Sequence, residues 1–293
     1  MLTLFVQLII DGMGMGLIYV ILAVGLVLIL SVSRIFFIAY GQFFMIGAYA
    51  VWGGSVLFGL PFLVSLCIAI LTTTLLAMIS YRAIFHYIQY MERQFLAMIV
   101  AAIGLMMVLG QAGLVLFGTS PRGLQQTVFS GIVQFAGINV SVEKLVLIGL
   151  GLLITLTLFI IYEKTSIGWA MQAVSFSPEA ASLMGVHTQN IYLVTMGISG
   201  ALAGFTGGIM APMYGAYPQM GEEIILSVMI VMMLGGMESL VGAVLGGIIM
   251  GLTLSFGQYY TGGLAQILLF IVVGIILFFR PGGLIGREAK MDV

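Results

Sequence analysis

Apolar runs long enough to cross a bilayer recur along the chain, separated by short polar punctuation. Uncharged stretches extend from Gly12 to Ser33, Ile35 to Tyr81, Gln94 to Pro121 and Ser239 to Phe279, and a transmembrane helix needs only about 20 predominantly apolar residues. Several stretches therefore hold two spans. Gly and Pro punctuate helices, so Gly59-Leu60-Pro61 divides the second run and Tyr259-Tyr260-Thr261-Gly262-Gly263 divides the last. The pattern places spans at about 12–33, 35–57, 62–81, 95–117, 145–162, 191–213 and 264–280. Between Ile224 and Gly257 the interruption Gly235-Gly236-Met237-Glu238-Ser239 leaves a front piece too short to span comfortably. A broken or short helix near 224–240, followed by a full one, is expected there. The predicted fold class is an all-α polytopic membrane protein, a bundle of about 8–9 transmembrane helices forming one membrane domain over 1–293.

Composition supports this class. Charged residues make up 6% of the chain and hydrophobic ones 62%, with mean hydropathy +1.25, where soluble domains carry about a quarter charged residues. No soluble stretch exceeds a loop, which leaves no room within these 293 residues for a nucleotide-binding or catalytic domain. The first apolar run has no preceding Lys or Arg and continues into a full span, so it reads as a retained helix and not a cleaved signal peptide. The single Cys67 lies in an apolar run and carries no redox information.

Lys and Arg mark cytoplasmic loops. With the N-terminus outside and the short 224–237 piece crossing, seven of the nine basic residues, Arg34, Arg82, Arg93, Lys164, Arg280, Arg287 and Lys290, fall on the cytoplasmic side. Arg122 and Lys144 then face outside. The external loop, about 118–143, contains Gly131 to Ser141, whose β-branched and aromatic residues flank Ala136-Gly137 and predict a small hairpin. Such a hairpin suits contact with an outside partner, or serves as a packed connection.

Glycines recur at helical spacing: Gly12 and Gly16, Gly200, Gly204 and Gly208, Gly242 and Gly246, Gly247 and Gly251. Small residues four apart let helix backbones approach in lipid, so these stripes are read as packing. Intramembrane ionisable groups, the usual marks of proton relays and ion paths, are almost missing. Asp11, Glu222, Glu223 and Glu238 all lie at span ends or breaks, and His86 and His187 have no partner at metal-ligand spacing. The chain shows no phosphate-binding loop, nucleophile elbow or His-Glu-x-x-His pair. No catalytic residue, metal site or cofactor is expected, and ATP hydrolysis would have to come from elsewhere. The polar groups inside the spans are neutral, among them Tyr40, Gln42, Gln111, Ser199, Thr206 and Ser255. They suit a path for a neutral or zwitterionic solute better than an ion channel.

One polar stretch between spans has helix-start and helix-stop chemistry. Ser177 or Pro178 can begin a helix, Glu179 sits at its positive end, Ala180 and Ala181 offer a close-packing face, and Gly185 can end it in a left-handed conformation.

Over nearly its whole length the sequence resembles the membrane permeases of bacterial ABC importers of the branched-chain amino acid type. The resemblance rests on the order and spacing of Gly16-Leu17-Ile18-Tyr19, Gly41-Gln42-Phe43-Phe44-Met45-Ile46-Gly47-Ala48-Tyr49, Thr165 to Ala173, Glu179-Ala180-Ala181 with Gly185, Gly200-Ala201-Leu202-Ala203-Gly204, Leu234 to Ala243 and Arg280-Pro281-Gly282-Gly283-Leu284-Ile285-Gly286. It implies that Pro178, Glu179, Ala180, Ala181 and Gly185, in a cytoplasmic loop of about 163–190, form a coupling helix that docks on a separate ATPase. It implies as partners a second homologous permease subunit, two ABC ATPase subunits and a periplasmic or extracellular solute-binding protein, in the bacterial inner (plasma) membrane, with no nucleic acid. Branched-chain or other hydrophobic amino acids are the expected solutes; urea, short amides and small aromatic acids are the alternatives within the family. A secondary transporter or channel is the alternative of another class, and it would want buried carboxylates or a charged constriction. Where many relatives begin the second span with Ile-Asn-Phe-Ala-His-Gly, this chain has Phe36-Phe37-Ile38-Ala39-Tyr40-Gly41. A polar, glycine-containing stretch amid apolar sequence is costly unless it faces protein or water, so Phe37, Tyr40, Gly41 and Gln42, with Gln111, are the candidate translocation-path residues.

Overall fold

Backbone N–H and C=O groups find no water inside a bilayer, so a chain this apolar must satisfy them within helices. The computed structural model describes residues 2–89, 94–124, 131–135, 138–280 and 282–285, and these are mostly helical. In chain order the helices are α1 (Leu2–Ser33), α2 (Tyr40–Trp52, continued by a wider turn at Gly53–Leu57), α3 (Phe62–Ser80, running through Tyr81–Phe85 into the short α4, His86–Ile88), α5 (Gln94–Phe117), α6 (Val142–Lys164), α7 (Ser166–Phe176), α8 (Pro178–Leu183), α9 (Thr188–Tyr214), α10 (Met220–Gly235), α11 (Leu240–Thr261) and, after a turn at Gly262–Leu264, α12 (Ala265–Phe279). Strands β1 (Ile132–Phe135) and β2 (Ile138–Ser141) pair antiparallel between α5 and α6, with Ile132 opposite Ser141. The expected turn residues Ala136 and Gly137 lie outside the described residues.

Among the described residues six helical stretches have the length and composition to cross a membrane: Leu4–Ser33, Phe62–Ile88, Gln94–Phe117, Lys144–Lys164, Thr188–Tyr214 and Leu240–Phe279. The last contains both α11 and α12. The remaining expected spans are occupied by shorter helices. The 16 residues of α10 reach about 24 Å at 1.5 Å per residue, less than the roughly 30 Å hydrocarbon core. The span expected from 35 begins instead at Tyr40. Arg34 takes a left-handed backbone with φ 56°, which stops α1, and Ile35–Ala39 form tight turns in which Ile38 N–H donates to Phe36 O and Tyr40 N–H to Phe37 O.

The chain divides into two compact units, Met1–Val27 with Val128–Leu156 and Ser227–Val293, and Leu28–Thr127 with Thr157–Leu226. In the first, the glycine stripes meet. A Cβ on Gly16 would lie 3.1 Å from Gly247 O, and one on Gly12 3.0 Å from Leu252 Cα, so α1 and α11 touch backbone to backbone. The second stripe of α11 serves α10: a Cβ on Gly246 would lie 2.7 Å from Val231 O. Ser255 Oγ donates to Leu8 O at 2.8 Å. Lys144 Nζ and Asp11 Oδ1 are 2.7 Å apart, an ion pair between α1 and α6 with about a third of each side chain exposed, and such pairs contribute only about 0–1 kcal/mol.

The break after α10 is closed by the far end of the sequence. Gly236, at φ 108°, turns the chain, and Ser239 Oγ accepts from Gly242 N–H to start α11. A helix leaves its last carbonyls without partners. Here Leu284 N–H donates to Leu234 O at 2.8 Å and Ile285 N–H to Gly235 O at 3.2 Å. Leu284 and Ile285 thus cap the helix end at the Gly235-Gly236 break.

In the second unit α2 is almost wholly buried, packed on α3 and α9. A Cβ on Gly47 would lie 2.6 Å from Gly204 Cα, and one on Gly200 2.6 Å from Ala77 Cβ. Leu71 and Leu75 of α3 and Val100 and Met107 of α5 remain exposed, the apolar surface expected of helices that meet lipid.

Candidate functional site

The segment between α6 and α9 folds as two helices joined at one cap residue. Ser177 has extended backbone, and its Oγ accepts from Ala180 N–H at 3.2 Å. Pro178 fills the first helical position, where its missing N–H costs nothing, and Glu179 lies in the first turn near the positive end of the dipole. At the other end Val186 N–H donates to Ala181 O and Gly185 N–H to Ser182 O, both at 3.0 Å, with Gly185 at φ 87°. This pair of bonds and the left-handed glycine form a Schellman cap. Of the two alanines, Ala181 is buried, with α8 packed on α9, and Ala180 faces outward with Glu179. Leu183 and Met184 are 87% and 84% exposed, an apolar tip beside the carboxylate.

The preceding helix is held by the end of α6. Thr165 Oγ1 donates to Ile161 O at 2.5 Å, Gln172 Nε2 to Tyr162 O at 2.7 Å and Trp169 Nε1 to Glu163 O at 2.8 Å. Three of the four orphan carbonyls at the α6 terminus are thereby taken by side chains of one short motif. Gly168 has to be glycine because a Cβ would strike Tyr162 O and Ile161 O. Arg34, in the turn after α1, donates from Nη2 to Ser175 O at 2.9 Å in the last turn of α7. Sequence reasoning found the cap residues of α8 from local rules and missed these longer links, because a carbonyl acceptor leaves no mark on the sequence.

The candidate path residues separate into different environments. Phe37 is buried among aromatic rings, 5.5 Å from Phe43 and 5.3 Å edge-on to Phe85. Tyr40 is buried and its hydroxyl donates to Ser199 O of α9 at 3.1 Å. Gly41 lies where a Cβ would strike Gly221 O, so the starts of α2 and α10 touch directly. Gln42 has no exposed surface, and neither its Nε2 nor its Oε1 has a hydrogen-bond partner. Each unmade bond of this kind costs about 1–3 kcal/mol. Gln111 is on the exposed side of α5 and is not brought to the others.

Among the described residues, six helical stretches able to cross a membrane, with neutral polar groups within them and a capped helical elbow between two of them, define a polytopic membrane protein. The chain belongs to the family described as "Branched-chain amino acid transport system / permease component", whose model matches residues 8–279. A probable branched-chain amino acid transport permease protein, LivH, of Methanocaldococcus jannaschii is 27% identical over 92% of this chain and 89% of its own length. The high-affinity branched-chain amino acid transport system permease proteins BraD of Pseudomonas aeruginosa and LivH of Escherichia coli K12 are each 24% identical over 97% of this chain and 96% of theirs. A solved structure, "PsaBC from Streptococcus pneumoniae in complex with Fab", is similar at TM-score 0.48 and 16% identity, over 93% of this chain and 91% of that one. The chain is a multi-pass membrane protein of a permease family, and these relatives are named as transport permeases.

Proposed function

We propose that this chain is the pore-forming permease subunit of an ATP-driven importer in the bacterial inner membrane, carrying branched-chain or other hydrophobic amino acids. In this reading 1–293 acts as one permease domain, the loop of about 163–190 is cytoplasmic and that of about 118–143 external. A second homologous permease, two ABC ATPases and a solute-binding protein complete the machine. The observation that carries the reading beyond family membership is the elbow: Pro178, Glu179, Ala180, Ala181 and Gly185 build a rigid helix that offers a carboxylate and an apolar tip, Leu183 and Met184, to a partner. With no phosphate-binding loop in its sequence, the chain in this reading takes the energy of ATP hydrolysis through such a surface. The opening of the second span, Phe37, Tyr40, Gly41 and Gln42, with Gln111, is proposed to belong to the translocation path, and the unpartnered amide of Gln42 is its strongest support.

The test is uptake of labelled L-leucine by vesicles containing this chain, its sister permease and the ATPases encoded beside it, with binding protein supplied outside. Uptake should require ATP, and the ATPases should co-purify with this chain. Uptake driven by an ion gradient in the absence of ATP would make the protein a secondary transporter and overturn the reading.

A further inference from the structure

Two polar side chains of α2 are buried without a hydrogen-bond partner: Gln42, at 0% exposure, and the hydroxyl of Tyr49, in a residue 3% exposed. They are seven residues apart, with Met45 between them, so all three lie along one side of the helix. The facing side of α5 repeats the spacing with Gly110, Gly113 and Phe117. A Cβ on Gly110 would lie 3.3 Å from Gln42 Nε2, one on Gly113 2.9 Å from Met45 Cε, and the Phe117 ring stacks on Tyr49 with centroids 4.0 Å apart at 11°. All six residues belong to one compact unit. The seam is closed, yet its polar groups face no partner, and buried polar groups in native proteins are nearly always bonded.

We propose that the α2–α5 seam is the shut form of a solute-binding groove, in which Gln42 and Tyr49 are the specificity-determining polar contacts once α5 separates from α2. This inference rests on the permease reading above. The amide of Gln42 donates to a carboxylate or carbonyl and accepts from an ammonium or N–H, and the Tyr49 hydroxyl does either. Met45 and Phe117 offer apolar surface to the rest of the solute. Gly110 and Gly113 leave no α5 side chain to be withdrawn at those positions, so the Phe117 ring is the side chain of this face that must leave α2, and only 17% of the apolar window of α5 is buried. A zwitterionic amino acid and a neutral amide share the chemistry these groups recognise.

The experiment measures uptake of labelled L-leucine and labelled urea by the assembled complex in membranes, together with its thermal stability. Gln42→Leu removes both orphan atoms and Tyr49→Phe removes the third. Where an unpaired polar group is deleted with its shape kept, stability holds or rises. Both variants should therefore stay as stable as the parent, while uptake of the probe the parent carries falls about tenfold for Gln42→Leu and roughly fivefold for Tyr49→Phe, the loss expected when one or two solute hydrogen bonds are removed. Parent-level uptake in both variants overturns the proposal. An independent arm places a thiol in the seam as Gly113→Cys in a Cys67→Ala background, since Cys67 is the chain's own free, exposed cysteine. The new thiol should react with a membrane-impermeant maleimide during ATP turnover and not without ATP. A parent that carries neither probe counts against the solute assignment of the permease reading, and the labelling then decides the seam alone: a thiol protected in every state overturns it.

Discussion

Gly47 shows what one methyl group does where two backbones meet. Its missing Cβ would lie 2.6 Å from both Gly204 Cα and Gly204 O, and a backbone cannot swing aside as a side-chain tip can. Gly104, on α5, has nothing within 4 Å of the same position and ordinary helical backbone. We expect Gly47→Ala to destabilise the detergent-solubilised protein by roughly 1–3 kcal/mol through overpacking, and Gly104→Ala to be neutral or stabilising by up to about 1 kcal/mol, since alanine is the better helix former. Thermal unfolding of the two variants beside the parent checks this, and an equal effect from both would show that the α2–α9 approach is looser than its geometry.

At the scale of elements the decisive piece is the elbow of α7 and α8. Its shape is over-determined: side chains of Thr165, Trp169 and Gln172 grip the last carbonyls of α6, Arg34 holds the last turn of α7, and Gly185 closes α8. A left-handed residue other than glycine costs about 1–2 kcal/mol, and a β-branched one is the least tolerated there. Asparagine visits the left-handed region more readily than other side-chain-bearing residues. Gly185→Val should therefore reduce ATPase co-purification and uptake several-fold without loss of membrane-inserted protein, and Gly185→Asn should restore most of both. Glu179→Lys, which puts a positive charge at a positive helix terminus, should weaken co-purification in the same assay. Full ATPase retention in Gly185→Val and Glu179→Lys alike would mean that α8 is not the docking element.

For the whole molecule, each unit carries a surface for a different class of partner in the proposed machine. The β1–β2 hairpin belongs to the first unit and the elbow to the second. Deleting 131–141 should diminish the stimulation of ATP hydrolysis by binding protein at least threefold, the scale of a few lost interface hydrogen bonds, while the permease and ATPases still purify together. Stimulation at the parent level would reduce the hairpin to a connection.

Membrane class, the approximate position of most spans and the cap chemistry of the elbow were legible in the residues. Hydropathy over about 20 positions fixes where helices can exist when no water is present to serve the backbone, and capping is a matter between near neighbours. Ser177, Pro178 and Gly185 could thus be assigned their work without a fold, and the glycines could be assigned to packing without naming their partners. What α1 does with α11, how Leu284 and Ile285 close the end of α10, and that Gln42 and Tyr49 face Gly110 and Phe117 were decided only in three dimensions. Those pairings lie far apart in the chain and depend on which helix faces meet. In lipid, where the hydrophobic effect gives helices no drive to associate, shape and hydrogen bonding between non-neighbours make that choice.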